Sequence, residues 1–289
     1  MSATVDQHIV QAFRDGITQR QQQGMSRLRG AVDIDPNVVG DRAYYNQLGQ
    51  TQASKRTTRH GDTEYTDTPH LRRMVTLESW DLADLLDKDD KVQMLTDPTN
   101  SYSESFAMAM ARTTDDIIIE AATATAATGQ TGTGTESFPS DREVAVVGTS
   151  DLQIEQVMEA KEKLDEKEVD SGERYFVCSA KQITSLLGQV EVASADYNTV
   201  RALVTGDVDS YLGFTFIRSE RLASAGDVIR ECLAFQRNSI KLAIGINPAG
   251  SVDVLPTKKY STQVYYEMRI GATRMDPNGV VRIKCDEVA

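Results

Sequence analysis

The sequence predicts an α+β chain, and three stretches carry that prediction. A long helical run opens at Asp97-Pro98, a helix–strand–helix unit lies between Ser150 and Gly188, and Thr262, Val264, Tyr266, Met268 and Ile270 alternate with their neighbours in the last third. Apolar spacings of 3.6 and 2.0 residues demand different backbone geometries, so both element types are required. With 289 residues, 40% hydrophobic and 26% charged, the chain has a globular composition and can bury one large core or two moderate ones.

Residues 1–39 read as an N-terminal arm with few ordering signals. Ile9, Phe13 and Ile17 keep helical spacing, but the Gln-rich run up to Gln23 and Gly24 ends any apolar face, and Asp35-Pro36-Asn37 is a turn. Arg14, Arg20, Arg27 and Arg29 make the arm locally basic. Residues 40–80 predict a long polar hairpin. Its ends hold Tyr44, Tyr45 and the run Met74-Val75-Thr76-Leu77, while its middle holds Lys55, Arg56, Arg59 and His60 and almost nothing apolar. A segment of this length is uncommon inside a compact domain unless it has a role of its own. One that cannot bury itself is best explained by lying on a neighbouring molecule.

Ser79 to Leu86 reads as a short amphipathic turn of helix, followed by the solvated run Asp87-Lys88-Asp89-Asp90. Asp97 then supplies an N-cap and Pro98 the first helical position. Phe106, Met110, Ile117, Ala121 and Ala124 share one face, which predicts a helix over 98–127, roughly 45 Å long. Gly129 ends it, and Gly129 to Ser140 reads as a flexible connector at a domain junction. In the module that follows, Val144 to Val147 is a short strand, helices start after Ser150 and Ser179, and Arg174 to Cys178 and Phe214 to Arg218 are strands. The final third turns to β: Val228 to Phe235, Ile240 to Gly245, the alternating strand, a turn at Met275 to Gly279, and Val280 to Cys285, with Asn247 to Gly250 as a further turn.

The net charge of −12 and isoelectric point near 4.8 argue against nucleic-acid binding by the body of the protein. Asp6 interrupts the apolar run that a secretory signal needs, and no stretch approaches a membrane span. Cys178, Cys232 and Cys285 are odd in number and have no Cys-x-x-Cys spacing, so they read as reduced thiols. No metal, cofactor or catalytic residue is predicted. The glycines at 129, 132 and 134 follow a helix where a phosphate loop needs a strand, and no Gly-Lys-Ser/Thr comes after them. His8, His60 and His70 are isolated, and the acids at 87–90 lack the glycine and distal glutamate of a calcium loop. No nucleophile–base signature is present.

The order of elements — basic arm, polar hairpin, long helix opened by Asp97-Pro98, α/β module, long final strand — resembles the major capsid proteins of tailed bacteriophages. Leu85-Leu86-Asp87-Lys88, Asp97 to Arg112 and Tyr265 to Val281 are similar to that family in sequence. The resemblance implies a tailed-phage major capsid fold with these parts: an N-terminal arm (1–39), an extended loop (40–80), a peripheral domain (81–140) with its spine helix (98–127), an axial domain (141–227), and a β-rich return to the peripheral domain (228–289). It implies a structural role in the virion: self-assembly into pentamers and hexamers of an icosahedral shell around double-stranded DNA, put together in the host cytoplasm. The implied partners are other copies of the chain, a scaffolding protein, a portal and a decoration protein, with no membrane. The sequence leaves three rivals open: a cellular nanocompartment shell of the same fold, a tail or connector component, and a soluble α/β enzyme with its site in 141–227.

Two charge sets predict contacts. Lys55, Arg56, Arg59, Arg72 and Arg73 make the hairpin cationic, whereas Asp81, Asp84, Asp87, Asp89, Asp90, Asp115, Asp116 and Glu120 make the following region acidic. The hairpin of one copy is expected to meet the acids of the next. Arg14, Arg20, Arg27 and Arg29 are the expected contacts to packaged DNA on the inner surface, weak and salt-sensitive.

Overall fold

In the computed structural model, residues 22–55, 58–59, 62–63, 65–87, 99–145, 151–188, 210–225 and 229–287 are described. After a 3-10 turn at Arg29–Ala31 come β1 (Asp33–Pro36), β2 (Arg42–Leu48), β3 (His70–Thr76) and β4 (Glu78–Leu86). Helix α1 (Thr99–Thr123) leads into β5 (Ala126–Thr128), β6 (Gly134–Glu136) and β7 (Glu143–Val144). The middle module contains α2 (Ile154–Asp165), β8 (Arg174–Cys178), α3 (Ala180–Gly188), β9 (Ser210–Tyr211), β10 (Phe214–Arg218) and β11 (Ser224–Ala225). The chain closes with β12 (Ile229–Gln236), β13 (Ile240–Leu255), β14 (Ser261–Arg274) and β15 (Val280–Asp286).

The strands form three sheets. One runs β1-β13-β14-β4, the second β7-β15-β12-β8-β10-β9 with β11 beside β12, and the third β2-β3-β5-β6. Pairing is antiparallel except for β1 with β13, β7 with β15 and β8 with β10. A continuous core joins the first two sheets to the helices: Ile118, Ile119 and Ala122 of α1, Val157, Ala160 and Leu164 of α2, and inward residues of β8, β12, β13 and β15. A small separate cluster, Ala43, Val75, Leu77 and Ala243, lies where β2 and β3 meet β13.

Several expectations change on this backbone. Ser79 to Leu86 is strand β4 and not a helical turn. Leu82 packs against the core and Leu86 is buried, while the remaining residues of this edge strand are exposed. The spine helix ends at Thr123 and not near 127, because Ala126–Thr128 is drawn into the third sheet. The Gly/Thr-rich stretch is accordingly a hairpin turn and not a domain linker. Gly132 takes φ +74°, and a Cβ there would run into the Met74 side chain of β3. Asn247 to Gly250 is not a turn but lies within β13, as an irregularity where the register against β14 shifts twice.

The strands of the 228–289 segment divide between two sheets. β12 and β15 complete the sheet of the 141–227 module, because β12 is buried along most of its length and needs partners on both edges; β13 and β14 lie in the sheet of β4, with β14 pairing directly with it. The helix caps at Asp97-Pro98 and at Ser150 lie outside the described residues, as do Val146 and Val147 of the expected Val144 to Val147 strand. α2 begins with Gln153 and Gln156 hydrogen-bonding each other's backbone.

All three cysteines are buried on the neighbouring strands β8, β12 and β15. Burial, with Cys285 and Glu220 nearby, pushes the Cys178 thiol up to about 12, so it stays protonated and unreactive at neutral pH. Among the described residues no group of three His, Cys, Asp or Glu side chains is placed to hold a metal, and no helix is long and apolar enough to cross a membrane.

Candidate assembly surface

The β2–β3 hairpin has a fixed base. β2 and β3 pair in register from Arg42 opposite Thr76 to Leu48 opposite His70. Where β3 crosses β14, Gly271 lets the Thr76 carbonyl approach so closely that a Cβ at 271 would overlap it. The Met275 carbonyl just past β14 accepts from both strands, from Gln47 Nε2 at 3.0 Å and Arg73 Nε at 3.0 Å. Arg73, only 3% exposed, also pairs with Glu136 of β6.

Behind it lies Arg274, fully buried. It donates to the carbonyls of Ala122 at 3.0 Å, Ala124 at 2.9 Å and Glu136 at 3.2 Å, and its guanidinium stacks 5.2 Å over Phe138. The first two acceptors are the orphan carbonyls at the end of α1, so one arginine caps the helix and ties it to the third sheet. Burial, with Arg73 nearby, lowers its pKa from the usual arginine range. Arg72, on the outer side of the hairpin, bonds Asn46 at 2.8 Å and lies over Tyr44.

Beyond the hydrogen bond from Gly49 to Pro69 the hairpin changes character. Every described residue from 50 to 67 is exposed, including Lys55, Arg59 and Tyr65 at 94%. Arg56 and His60 lie outside the described residues. Of the five cations expected to reach a neighbour, Arg72 and Arg73 are therefore engaged within the subunit, and Lys55 and Arg59 stand exposed at the tip.

The acids sort in the same way. Asp115 is wholly buried on α1 and gathers the arm: it accepts from Gln23 and Ser26 side chains, each at 2.5 Å, and from the backbone N–H groups of Arg27 and Leu28, each at 3.1 Å. Asp116 pairs with Arg221, and Asp87 accepts from Ser261. Asp89 and Asp90 lie outside the described residues. Asp81, Asp84 and Glu120 remain exposed. Of the arm arginines, Arg27 donates to the Arg218 carbonyl at 2.5 Å and Arg29 to Asn247 at 2.8 Å; Arg14 and Arg20 lie outside the described residues.

Sequence reasoning missed Glu78, Glu136, Glu267 and Arg274. Glu267 stands directly opposite Asp81 across β14 and β4, a like-charge pair on the solvent face. The period-two alternation of β14 places Glu267 on that face, but pairing it with Asp81 required β4 to be read as a strand.

The family model described as phage capsid protein matches residues 5–287. The chain belongs to the phage capsid protein family. Solved structures show the same fold at low identity. The capsid of cyanophage P-SCSP1u superposes with a TM-score of 0.76 at 13% identity, covering 96% of this chain and 93% of that one. The capsid of cyanophage Pam1 gives 0.73 at 14%, with 99% and 98% covered. The capsid of a native GTA particle gives 0.69 at 14%, with the same coverage. No curated protein sequence matches. The protein thus has the tailed-phage major capsid fold and is a structural component of a virion capsid.

Proposed function

We propose that this capsid protein assembles through pentamers and hexamers into an icosahedral shell around double-stranded DNA. One observation carries the reading beyond the family: a hairpin whose base is locked by buried arginines and whose described tip residues between 50 and 67 are all exposed in its own subunit. Rigid presentation of an unburied segment is useful only if another molecule receives it, and closed shells need such heterologous contacts. Single exposed ion pairs contribute about 0–1 kcal/mol, so the contact works through repetition over the copies of a shell. Assembly takes place in the host cytoplasm with a scaffolding protein, a portal and a decoration protein. The genome touches the acidic body only through salt-sensitive contacts of Arg14, Arg20, Arg27 and Arg29.

Electron microscopy and sedimentation of the purified chain, alone and co-expressed with the scaffolding protein, test this. Pentamers, hexamers or closed particles are expected. A species that stays monomeric at high concentration in both cases would overturn it, and tight sequence-specific DNA binding by the subunit would overturn the genome contact.

A further inference from the structure

Asn278-Gly279 is the only Asn-Gly pair in the chain, and it sits in the 3-10 turn (Pro277–Gly279) between β14 and β15. That turn carries the backbone from the first sheet to the second. Asn278 is exposed, whereas Gly279 is buried so tightly that a Cβ there would overlap Ser239 Oγ. The Asn278 side-chain oxygen accepts from Arg142 Nη2 at 3.4 Å. Arg142 is 2% exposed, donates to the Lys163 carbonyl near the end of α2, and leaves Nε without a hydrogen-bond partner. Among the described residues its only ion pair is with Asp141, 3.7 Å away and itself mostly in solvent. A buried guanidinium is thus answered by an amide where a carboxylate would answer it better.

We propose that Asn278 is a site of spontaneous deamidation, and that the fold directs the product to an aspartate paired with Arg142. The Gly279 backbone nitrogen loses its proton to solvent and adds to Asn278 Cγ. The Cγ–Nδ2 bond then breaks, and the amide leaves as ammonia with a proton taken from solvent. Negative charge collects on Oδ1 during the addition, and Arg142 donates to that atom. Glycine permits the approach because it has no side chain to block it. Its N–H is held only by the Asp276 carbonyl, at 3.4 Å, so little opposes the rotation that closes the ring. Water next opens the succinimide at one of two carbonyl carbons. Attack at Cγ breaks its bond to nitrogen and leaves an aspartate on the original backbone. Attack at the residue 278 main-chain carbonyl leaves isoaspartate, whose backbone is longer by one methylene. Arg142 polarises the first carbonyl, and the packing of Gly279 against Ser239 leaves no room for the second product. The outcome is a one-way change that puts a carboxylate beside Arg142 and tightens the passage between the two sheets.

Trypsin cleavage after Arg274 and Arg282 releases residues 275–282, whose only asparagine is Asn278, so one peptide reads the reaction. The folded full chain and the same chain in denaturant are incubated at mildly alkaline pH, digested briefly and compared by mass spectrometry. An L-isoaspartyl methyltransferase, which labels only the product with the longer backbone, separates the two outcomes. In the folded chain the peptide should gain the mass of an amide-to-acid exchange, with aspartate as the main product. In denaturant, where neither Arg142 nor Ser239 is in place, isoaspartate should predominate. N278Q should give neither product over the same period. No conversion of the folded chain while the denatured chain converts would overturn the proposal, as would isoaspartate as the main product of the folded chain. N278D, which installs the product directly, should raise Tm at neutral pH, and the gain should disappear once acid protonates the new carboxylate. An unchanged or lowered Tm would overturn the pairing with Arg142.

Discussion

The two halves of the hairpin carry the same kind of charge in opposite physical settings. At the base, Arg73 is almost fully buried against Glu136, with Arg274 behind it donating to three carbonyls. At the tip, Lys55 and Arg59 are open to solvent. A buried charge is tolerated only when its surroundings answer it, and removing an answering group is costly. An exposed charge adds little to its own fold and is available for association. Cationic residues of one hairpin thus serve as joinery at one end and stand exposed at the other.

That contrast is sharpest at Arg274. R274A leaves two terminal carbonyls of α1 and the Glu136 carbonyl without a donor, so a loss of about 3–5 kcal/mol in unfolding free energy is expected. Denaturant titration of the subunit measures it, and a loss within error would show that the base is not held this way. G271A comes next. Its methyl meets the Thr76 carbonyl, and forcing the strands apart should cost about 1–3 kcal/mol while tilting the hairpin. D115A should act locally: the arm loses a carboxylate worth about 1.5–3 kcal/mol per bond, so limited trypsin digestion should cut at Arg27 and Arg29 in the variant well before the unaltered chain.

Acid tests a third setting, the ion pairs of the body. Lys284 and Arg282 hold the Glu143 carboxyl below its ordinary value of 4.5, against an opposing effect of burial. For Glu287, burial pushes upward but is outweighed by the hydrogen bonds from Arg230, Ser179 and Gln182. A carboxylate whose folded pKa is depressed stabilises fully above the ordinary value and loses that contribution as pH falls through the folded one. Tm should therefore hold steady above the ordinary value of 4.5 and decline below it, with a shallower decline in E143Q/E287Q. The smallest effect is expected at the tip. K55E/R59E should leave subunit Tm and its acid dependence unchanged while blocking particle formation. A drop in Tm would mean that the tip is packed, and the contrast with the base would fail.

How much of this was legible depended on whether neighbouring residues decided the geometry. Arg174–Cys178 and Phe214–Arg218 are strands with the limits their sequences predict, since an apolar run between turn signals needs little context. The long helix was legible from its periodicity, but its end was set by Arg274, about 150 residues away, and by the pairing of β5 with β3. β4 misled because Leu82, Leu85 and Leu86 mimic helical spacing, while an edge strand tolerates aspartates on its solvent face. Pro248 reads as a turn, yet past Ile244 strand β13 has lost its partner β1, and proline is tolerated on such an edge. At the candidate surface the charge types were legible but not their fates. Nothing local distinguishes Asp115, which gathers four donors, from Asp116, which pairs with Arg221.

The crossing at Gly271 sets an angle as well as a contact. β3 departs from it over seven residues, roughly 23 Å at about 3.3 Å each. A rotation of about 10° about the crossing carries the far end of that lever through about 4 Å, more than a hydrogen bond tolerates. In the proposed shell, subunit-to-subunit inclination, and with it the radius of the particle, is thereby coupled to backbone clearance at a single residue without a side chain.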